Sequence, residues 1–323
     1  MFKLFYFCIQ FFMSITKILI TGGAGFIPSS LADKLSENRN YQLVLVDNLL
    51  TGKLYNLPQK SNVQFIKADV NHYNEIAAIM LSHRFDVVFH YAAVVGVKRT
   101  IENPINVLED CKGFENIFHL SKNTGVKRIF FSSSSEVYGE PVEFPQNEET
   151  TPLNARLPYA VVKNIGECYC KAFYQEHNLP YTILRFFNTY GPKQSTDFVM
   201  SKFIRSALKN EPITIYGDGK QTRTFCYIED NVDFTIQLLE KNIGINEIFN
   251  VGNRHEISIL ELAKRVIEFT QSQSPIVHLP PLKEGDMTRR QPDTTKMQAI
   301  LKRETPLEEG MQKVINAIKN EIV

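Results

Sequence analysis

The stretch Lys17-Ile18-Leu19-Ile20-Thr21-Gly22-Gly23-Ala24-Gly25-Phe26-Ile27-Pro28 passes from a short apolar run through a glycine turn into a helical pattern. A strand that enters a helix this way presents backbone N–H groups and the positive end of the helix dipole to an anion. Gly22 and Gly25 permit the tight turn and let the chain approach a pyrophosphate closely. A second apolar run, Gln42 to Asp47, ends in Asp47-Asn48, whose carboxylate can accept both hydroxyls of an adenosine ribose. These residues in this order predict a dinucleotide site. Gly22, Gly25, Phe26 and Ile27 lie at the pyrophosphate, Asp47 and Asn48 at the ribose, and Asp69 and Val70, ending the third strand, flank the adenine. No arginine adjoins Asp47 to receive a 2′-phosphate, so the expected cofactor is NAD rather than NADP. Pro28 replaces a third glycine, which is tolerable because an N–H in the first helical turn has no intrahelical partner.

Outward from this stretch, apolar runs alternate with helical patterns. Strands at 17–21, 42–47, 63–69, 87–91, 128–133 and 181–186 are separated by helices reaching to about Glu37 and near 73–82, 106–124 and 159–177. This alternation predicts an α/β chain with a doubly wound parallel sheet. After Asn188 the pattern turns irregular, with Gly191-Pro192, Gly217-Asp218-Gly219 and Pro280-Pro281 between shorter helices. The expected division is an apolar extension over 1–12, a cofactor domain over 13–187 with later returns near 225–255, and a smaller, mainly substrate-binding domain over 188–323.

Composition fits an ordinary globular enzyme: 323 residues, 43% hydrophobic and 22% charged, can bury a large core. Thirty-six Lys and Arg balance 35 Asp and Glu, leaving no basic field to draw nucleic acid or a membrane surface, so an anionic ligand must be held by local groups. Cys8, Cys111, Cys168, Cys170 and Cys226 lack metal-type spacing, and Cys168 and Cys170 diverge on a helix. Reduced thiols, a cytoplasmic setting and no metal are expected. Phe2 to Met13 is almost wholly apolar but too short to span a bilayer. It reads as a dispensable extension before Met13, the alternative being a short membrane-touching anchor without stable insertion.

Tyr159-Ala160-Val161-Val162-Lys163 sets a phenol and an ammonium on one face of a helix. Upstream, Phe131-Ser132-Ser133-Ser134-Ser135-Glu136-Val137-Tyr138-Gly139 ends a strand in a hydroxyl cluster followed by a carboxylate. With the glycine turn and His90-Tyr91-Ala92-Ala93, these motifs resemble the extended short-chain dehydrogenases, specifically the NAD-dependent nucleotide-sugar epimerases, dehydratases and decarboxylases, over roughly residues 14 to 320. The resemblance implies a Rossmann fold, a nucleotide-diphosphate sugar as substrate, and Ala92 and Ala93 beside the cofactor. It makes Tyr159 the base for a sugar hydroxyl, its pKa lowered by Lys163 and the nicotinamide cation. Ser134 would bond the same oxygen, and Lys163 would hold the nicotinamide ribose. Asn188, in Arg185-Phe186-Phe187-Asn188-Thr189-Tyr190-Gly191-Pro192, would contact the substrate diphosphate. Gln221 and Arg223 in the loop Thr214 to Arg223, and Arg289 or Arg290 after Gly285-Asp286-Met287-Thr288, resemble diphosphate-gripping sites; whichever of the last two points outward is a surface ion pair. Asp110 departs from the family, which usually has asparagine there. A homodimer is the expected assembly.

The candidate reactions all begin with hydride transfer from a ring carbon to NAD. A 4,6-dehydratase resembling this group carries Asp then Glu after its active hydroxyl, and here Ser135 replaces that Asp. A uronate decarboxylase keeps the Glu, and Glu136 with Gln221 to Tyr227 resembles that branch, though its usual Ser-Pro-rich stretch after the fourth strand is missing. Ala92-Ala93-Val94-Val95-Gly96-Val97 looks epimerase-like and tips the expectation to a UDP-hexose 4-epimerase working through a transient 4-keto sugar. A non-catalytic NAD-binding regulator is the remote alternative, opposed by retention of Ser134, Tyr159 and Lys163.

Overall fold

The structure, a computed structural model, describes residues 15–281 and 289–322. The expectations for residues 1–12 and for Gly285 to Thr288 fall outside them.

Strands β1 (Thr16–Thr21), β2 (Tyr41–Asp47) and β3 (Val63–Lys67) alternate with helices α1 (Phe26–Leu35) and α2 (Tyr73–His83). Then follow β4 (Val87–His90), α3 (Val97–Glu102), α4 (Pro104–Leu108), α5 (Asp110–Thr124), β5 (Arg128–Ser134), α6 (Pro158–His177) and β6 (Tyr181–Phe186). The third strand therefore stops at Lys67, and Asp69 and Val70 sit in the loop beyond it rather than ending it. The helix expected from Asn106 is broken at Glu109, with a new helix opening at Asp110.

Further on are β7 (Thr189–Tyr190), α7 (Val199–Leu208), β8 (Ile213–Tyr216), β9 (Thr222–Thr224), β10 (Cys226–Tyr227) and α8 (Ile228–Glu240). The chain ends through β11 (Glu247–Val251), β12 (Glu256–Ser258), α9 (Ile259–Thr270), β13 (Ile276–Leu279), α10 (Thr295–Ile300) and α11 (Leu307–Ile322). Seven strands form one sheet in the order β3-β2-β1-β4-β5-β6-β11, and every neighbouring pair is parallel. β11 thus brings the chain back to the sheet from beyond residue 188. The strand order reverses between β1 and β4, where a doubly wound sheet opens a crevice at the carboxyl ends of its strands.

Both sheet faces are covered, which is why the strands read as continuous apolar runs. Ile18 and Ile20 of β1 point into one core cluster and Leu19 into the other, as the two-residue period of a strand requires. The first cluster extends into the C-terminal half: Met311, Val314, Ile315 and Ile318 of α11, spaced as one helical stripe, join it with α9 and β8. That half is otherwise built on two-stranded pairs, β10 with β7, β12 with β9 and β13 with β8.

Candidate active site

The loops at the β1–β4 reversal wall a cleft of about 610 Å³, within the usual range for a small-molecule or cofactor site. Its floor is the glycine turn. Gly22 has φ +68, and a Cβ there would stand 2.9 Å from the Ala92 amide nitrogen, so both the backbone conformation and the adjoining loop demand glycine. The Gly25 N–H donates to Gly22 O at 2.8 Å, and Ser29 N–H is the amide that bonds back to Gly25 O, so the Phe26 and Ile27 N–H groups belong to the turn that lacks intrahelical acceptors. Pro28, buried in this same turn, gives up an N–H the helix could not have used. Thr21 fixes the opposite rim. Its Oγ1 accepts from the Tyr91 and Ala92 N–H groups at 3.1 Å, so its proton goes to His90 Nδ1 at 2.8 Å. Burial holds the His90 ring down to about 3, hence neutral.

Along the cleft, Asp47 accepts from Ala24 N–H at 3.0 Å and Leu49 N–H at 2.7 Å. Burial raises its pKa while those two donors favour the anion. Asn48 Nδ2 donates to Asp69 Oδ2 at 2.9 Å, tying the ends of β2 and β3 together. Gly22, Gly25, Phe26, Ile27, Asp47, Asn48, Asp69, Val70, Ala92 and Ala93 all line this one cavity. A glycine floor closed to any side chain, helix N–H groups and an acid at the tip of the second strand fit the pyrophosphate and ribose of NAD.

At the other end, β5 delivers Ser134 beside Tyr159, where its hydroxyl favours the phenolate. Ser134 Oγ also accepts from the Glu136 N–H at 3.2 Å, capping the short turn Ser135–Tyr138. Ser133, one residue earlier, faces away and donates to Glu167 at 2.6 Å. Lys163, one turn along α6 from Tyr159, is buried; its Nζ donates to Ser132 O at 2.7 Å and lies 5.8 Å from the Tyr159 ring centroid. Burial brings Lys163 down to about 8, while Asp110 pushes it back up.

Burial and then the Glu136 charge raise the pKa of the Tyr159 phenol, with Ser134 and Arg290 pulling the other way. A buried phenol resists becoming an anion beside a carboxylate.

Glu136 forms an ion pair with Arg290 at 3.4 Å, both largely buried in the cleft wall. The segment carrying Arg290 is strapped on both sides: Thr222 bridges Arg289, Gln146 N–H donates to Gln291 O at 2.8 Å, and Asp293 N–H donates to Gln146 O at 2.7 Å. Neighbouring side chains on such an extended segment point opposite ways. Arg290 enters the cleft, and Arg289 turns outward to pair with Glu256 at 2.6 Å over the face of Phe144.

Asn188 lines the cleft, while Gln221, Arg223 and Arg289 are not among its lining residues. Gln221 donates to Tyr216 O at 3.2 Å, and Arg223, buried, donates to Thr222 O at 2.7 Å. Sequence reasoning missed Thr21, Asn71, Phe186, Gln194 and Phe198, which also wall the cleft or fix its rim. Phe186 lies two residues before Asn188 and Gln194 two after Gly191-Pro192, so neighbourhood to a motif was their signal; Asn71 and Phe198 carry none. Among the described residues no group of His, Cys, Asp or Glu is placed to hold a metal, and no helix is long and apolar enough to cross a membrane.

A glycine turn, an acid at the tip of the second strand, and Ser134, Tyr159 and Lys163 thus share one cleft on a seven-stranded parallel sheet. The chain belongs to the NAD dependent epimerase/dehydratase family, whose model matches residues 18–252. It is 38% identical to a UDP-N-acetyl-alpha-D-glucosaminuronate decarboxylase of Bacillus cytotoxicus, over 88% of this chain and 91% of that protein. The solved UDP-glucose 4-epimerase of Thermotoga maritima superposes with a TM-score of 0.90 at 34% identity, covering 95% of this chain and 100% of the other. The UDP-glucuronic acid 4-epimerase of Bacillus cereus, solved with UDP-glucuronic acid and NAD, gives 0.86 at 29% identity, with 95% and 100% covered. The protein is an NAD-dependent enzyme of this group.

Proposed function

We propose that the enzyme decarboxylates a UDP-linked uronic acid, and that the buried Glu136–Arg290 pair beside Tyr159 is the observation that carries this reading. NAD, held along the cleft floor by the glycine turn and Asp47, would when bound supply reversible hydride transfer at C4. Tyr159, beside Ser134, takes the proton of the C4 hydroxyl and returns it at the end. Once C4 is a ketone, a C6 carboxylate lies β to it and can leave as carbon dioxide, the C5–C6 electrons passing into an enolate that takes a proton from water at C5. Arg290 is the cation at the sugar end that can hold the carboxylate and the enolate charge, and Glu136 aims it.

A UDP-hexose 4-epimerase is the second reading, favoured by the apolar loop Ala92 to Gly96 in the cleft wall and by the Thermotoga structure. It would need no carboxylate beyond the hydroxyl-handling group, which leaves the Glu136–Arg290 pair without a task. A 4,6-dehydratase would need an acid where Ser135 stands. The gathering of Ser134, Tyr159 and Lys163 in one cleft speaks against a non-catalytic regulator.

In this reading Gly22, Gly25, Phe26 and Ile27 hold the pyrophosphate, Asp47 and Asn48 the adenosine ribose, Asp69 and Val70 the adenine, and Ala92, Ala93 and Lys163 the nicotinamide end. Asn188 and Arg290 meet the substrate, and Gln221 and Arg223 would reach its diphosphate only by turning toward the cleft. Residues 13–187 with the return near 225–255 make up the cofactor domain and the remainder of 188–323 the substrate domain. A cytoplasmic setting suits the free thiols of the described cysteines, and a homodimer is the assembly proposed with it.

Purified enzyme incubated with NAD and, separately, UDP-glucuronate, UDP-N-acetylglucosaminuronate, UDP-glucose and UDP-N-acetylglucosamine, with products read by NMR, tests this. Carbon dioxide with a UDP-pentose supports decarboxylation. A 4-epimer with its carbon count intact installs the second reading.

A further inference from the structure

Asn250 lies on β11, wholly buried and not among the residues that line the cleft, yet its side chain touches both segments that carry the Glu136–Arg290 pair. Its Oδ1 accepts from Tyr138 Oη at 2.7 Å, and Tyr138 closes the short turn Ser135–Tyr138 in which Glu136 sits. Its Nδ2 donates to Gln146 O at 2.8 Å and to Asp293 O at 3.3 Å. Those two residues clamp the strap that bears Arg290, Gln146 through its N–H to Gln291 O and Asp293 through its N–H to Gln146 O. One carboxamide therefore joins the Glu136 turn to the Arg290 strap.

The bonding fixes which way this amide faces. Arg185 Nη1 donates to Tyr138 Oη at 2.8 Å, so the phenol's own proton is left for Asn250, whose oxygen must face it. The two carbonyls on the other side only accept, so they need the NH2 group. Asparagine meets both demands at once. Aspartate would turn lone pairs toward the carbonyls, and leucine would leave all three groups buried without this partner. Asn250 is itself anchored, its N–H donating to Glu148 Oε1 at 2.8 Å on a strand paired with β6. The side-chain amide of Gln146 is buried without a bond, so that residue holds the strap through its backbone.

The ion pair does not set its own geometry. Its contact at 3.4 Å is longer than a strong charge-assisted bond, whereas Arg185 and Glu167 meet at 2.7 Å. Glu136 and Arg290 come from segments 154 residues apart, so their separation follows from where the backbone beneath each is held.

We propose that Asn250 is a positioning residue, the buried tie that holds Glu136 and Arg290 at their working separation. Its bearing on turnover rests on the decarboxylase reading.

Asn250→Ala cuts the tie at both ends. In enzyme carrying nitrogen-labelled arginine, hydrogen exchange at the Arg290 Nε–H, read by NMR, should speed up about tenfold, the scale of one net hydrogen bond lost. The Nε–H of Arg128, which is bonded to Thr182 and not to the tie, should exchange as in the wild type. Equal acceleration at both arginines is a general loosening and overturns the proposal, as does unchanged exchange at Arg290. With NAD and a UDP-uronate supplied, C4 oxidation, followed as NADH absorbance in a single turnover, should stay within about twofold of wild type while carbon dioxide release falls about tenfold. In Arg290→Met, adding Asn250→Ala should change the residual release by less than about twofold, because no cation is left to aim. The same loss in both backgrounds, or oxidation falling together with decarboxylation, overturns the positioning role. If the wild type releases no carbon dioxide from any UDP-uronate, the decarboxylase reading falls and exchange at Arg290 still decides the tie. Should Asn250→Ala fail to fold, Tyr138→Phe cuts the tie at the Glu136 end, and unchanged exchange at Arg290 in that variant overturns the proposal.

Discussion

On the proposed function, Tyr159 and Glu136 decide what chemistry this cleft performs. Burial and the Glu136 charge raise the pKa of the phenol, so a positive charge close to it would favour its ionisation. Tyr159→Phe should keep NAD binding and lower turnover by about two to four orders of magnitude, measured under saturating substrate. A near-normal rate would remove Tyr159 as the base. Glu136 separates the two readings. Under decarboxylation, Glu136→Gln frees Arg290 from its partner, so release of carbon dioxide from a UDP-uronate should fall at least about a hundredfold. C4 oxidation should survive, visible by mass spectrometry as a trapped 4-keto uronate. Under epimerisation the same change would slow turnover only modestly.

Beneath the site lies a buried network joining four elements and the turn that carries Glu136. Arg185 of β6 donates to both oxygens of Glu167 on α6, at 2.8 and 2.7 Å, and to Tyr138 Oη at 2.8 Å. Tyr138 donates in turn to Asn250 of β11, and Ser133 of β5 to Glu167. The pair is almost wholly dry, with side chains 2% and 0% exposed, so removing one charge strands the other. Glu167→Gln should cost roughly 3–5 kcal/mol of stability by urea denaturation. A loss under about 1 kcal/mol would show that water reaches Arg185 and that the network is not dry. The network holds the end of β5 and the Glu136 turn at a fixed height over α6, which sets Ser134 against Tyr159.

The two halves of the molecule share one core. Ile18, Ile20 and Leu31 of the cofactor half and Met311, Ile315 and Ile318 of α11 fall in the same apolar cluster, and Lys193 Nζ reaches back to Asp33 at 2.5 Å and to Asn56 O at 2.7 Å. Halves joined this way cannot lose one core without exposing the other. Unfolding should therefore be a single transition that circular dichroism and tyrosine fluorescence report at the same denaturant concentration, displaced upward by NAD in both signals. Two separate midpoints would show independent domains.

The cofactor half was legible in the sequence because its signals are local. A glycine turn between strand and helix, an acid at the tip of the next strand, and a phenol four residues from a lysine each lie within one short stretch, and regular alternation of strands and helices leaves few ways to wind a sheet. Long-range pairing was another matter. A return to the cofactor half near 225–255 was expected, but that β11 pairs with β6 was not legible, and the choice between Arg289 and Arg290 depended on a strap that Thr222 and Gln146 hold from either side. The Glu136–Arg290 pair spans 154 residues of chain, and no spacing rule reaches that far. The state of Tyr159 follows the same logic: the motif names the phenol, but its pKa depends on burial and on the net field of Glu136, Asp110 and Arg290, which meet only once the chain has folded. Sequence carries chemistry wherever a turn of backbone brings the groups together, and folding carries it wherever distant elements must supply the dielectric and the partner.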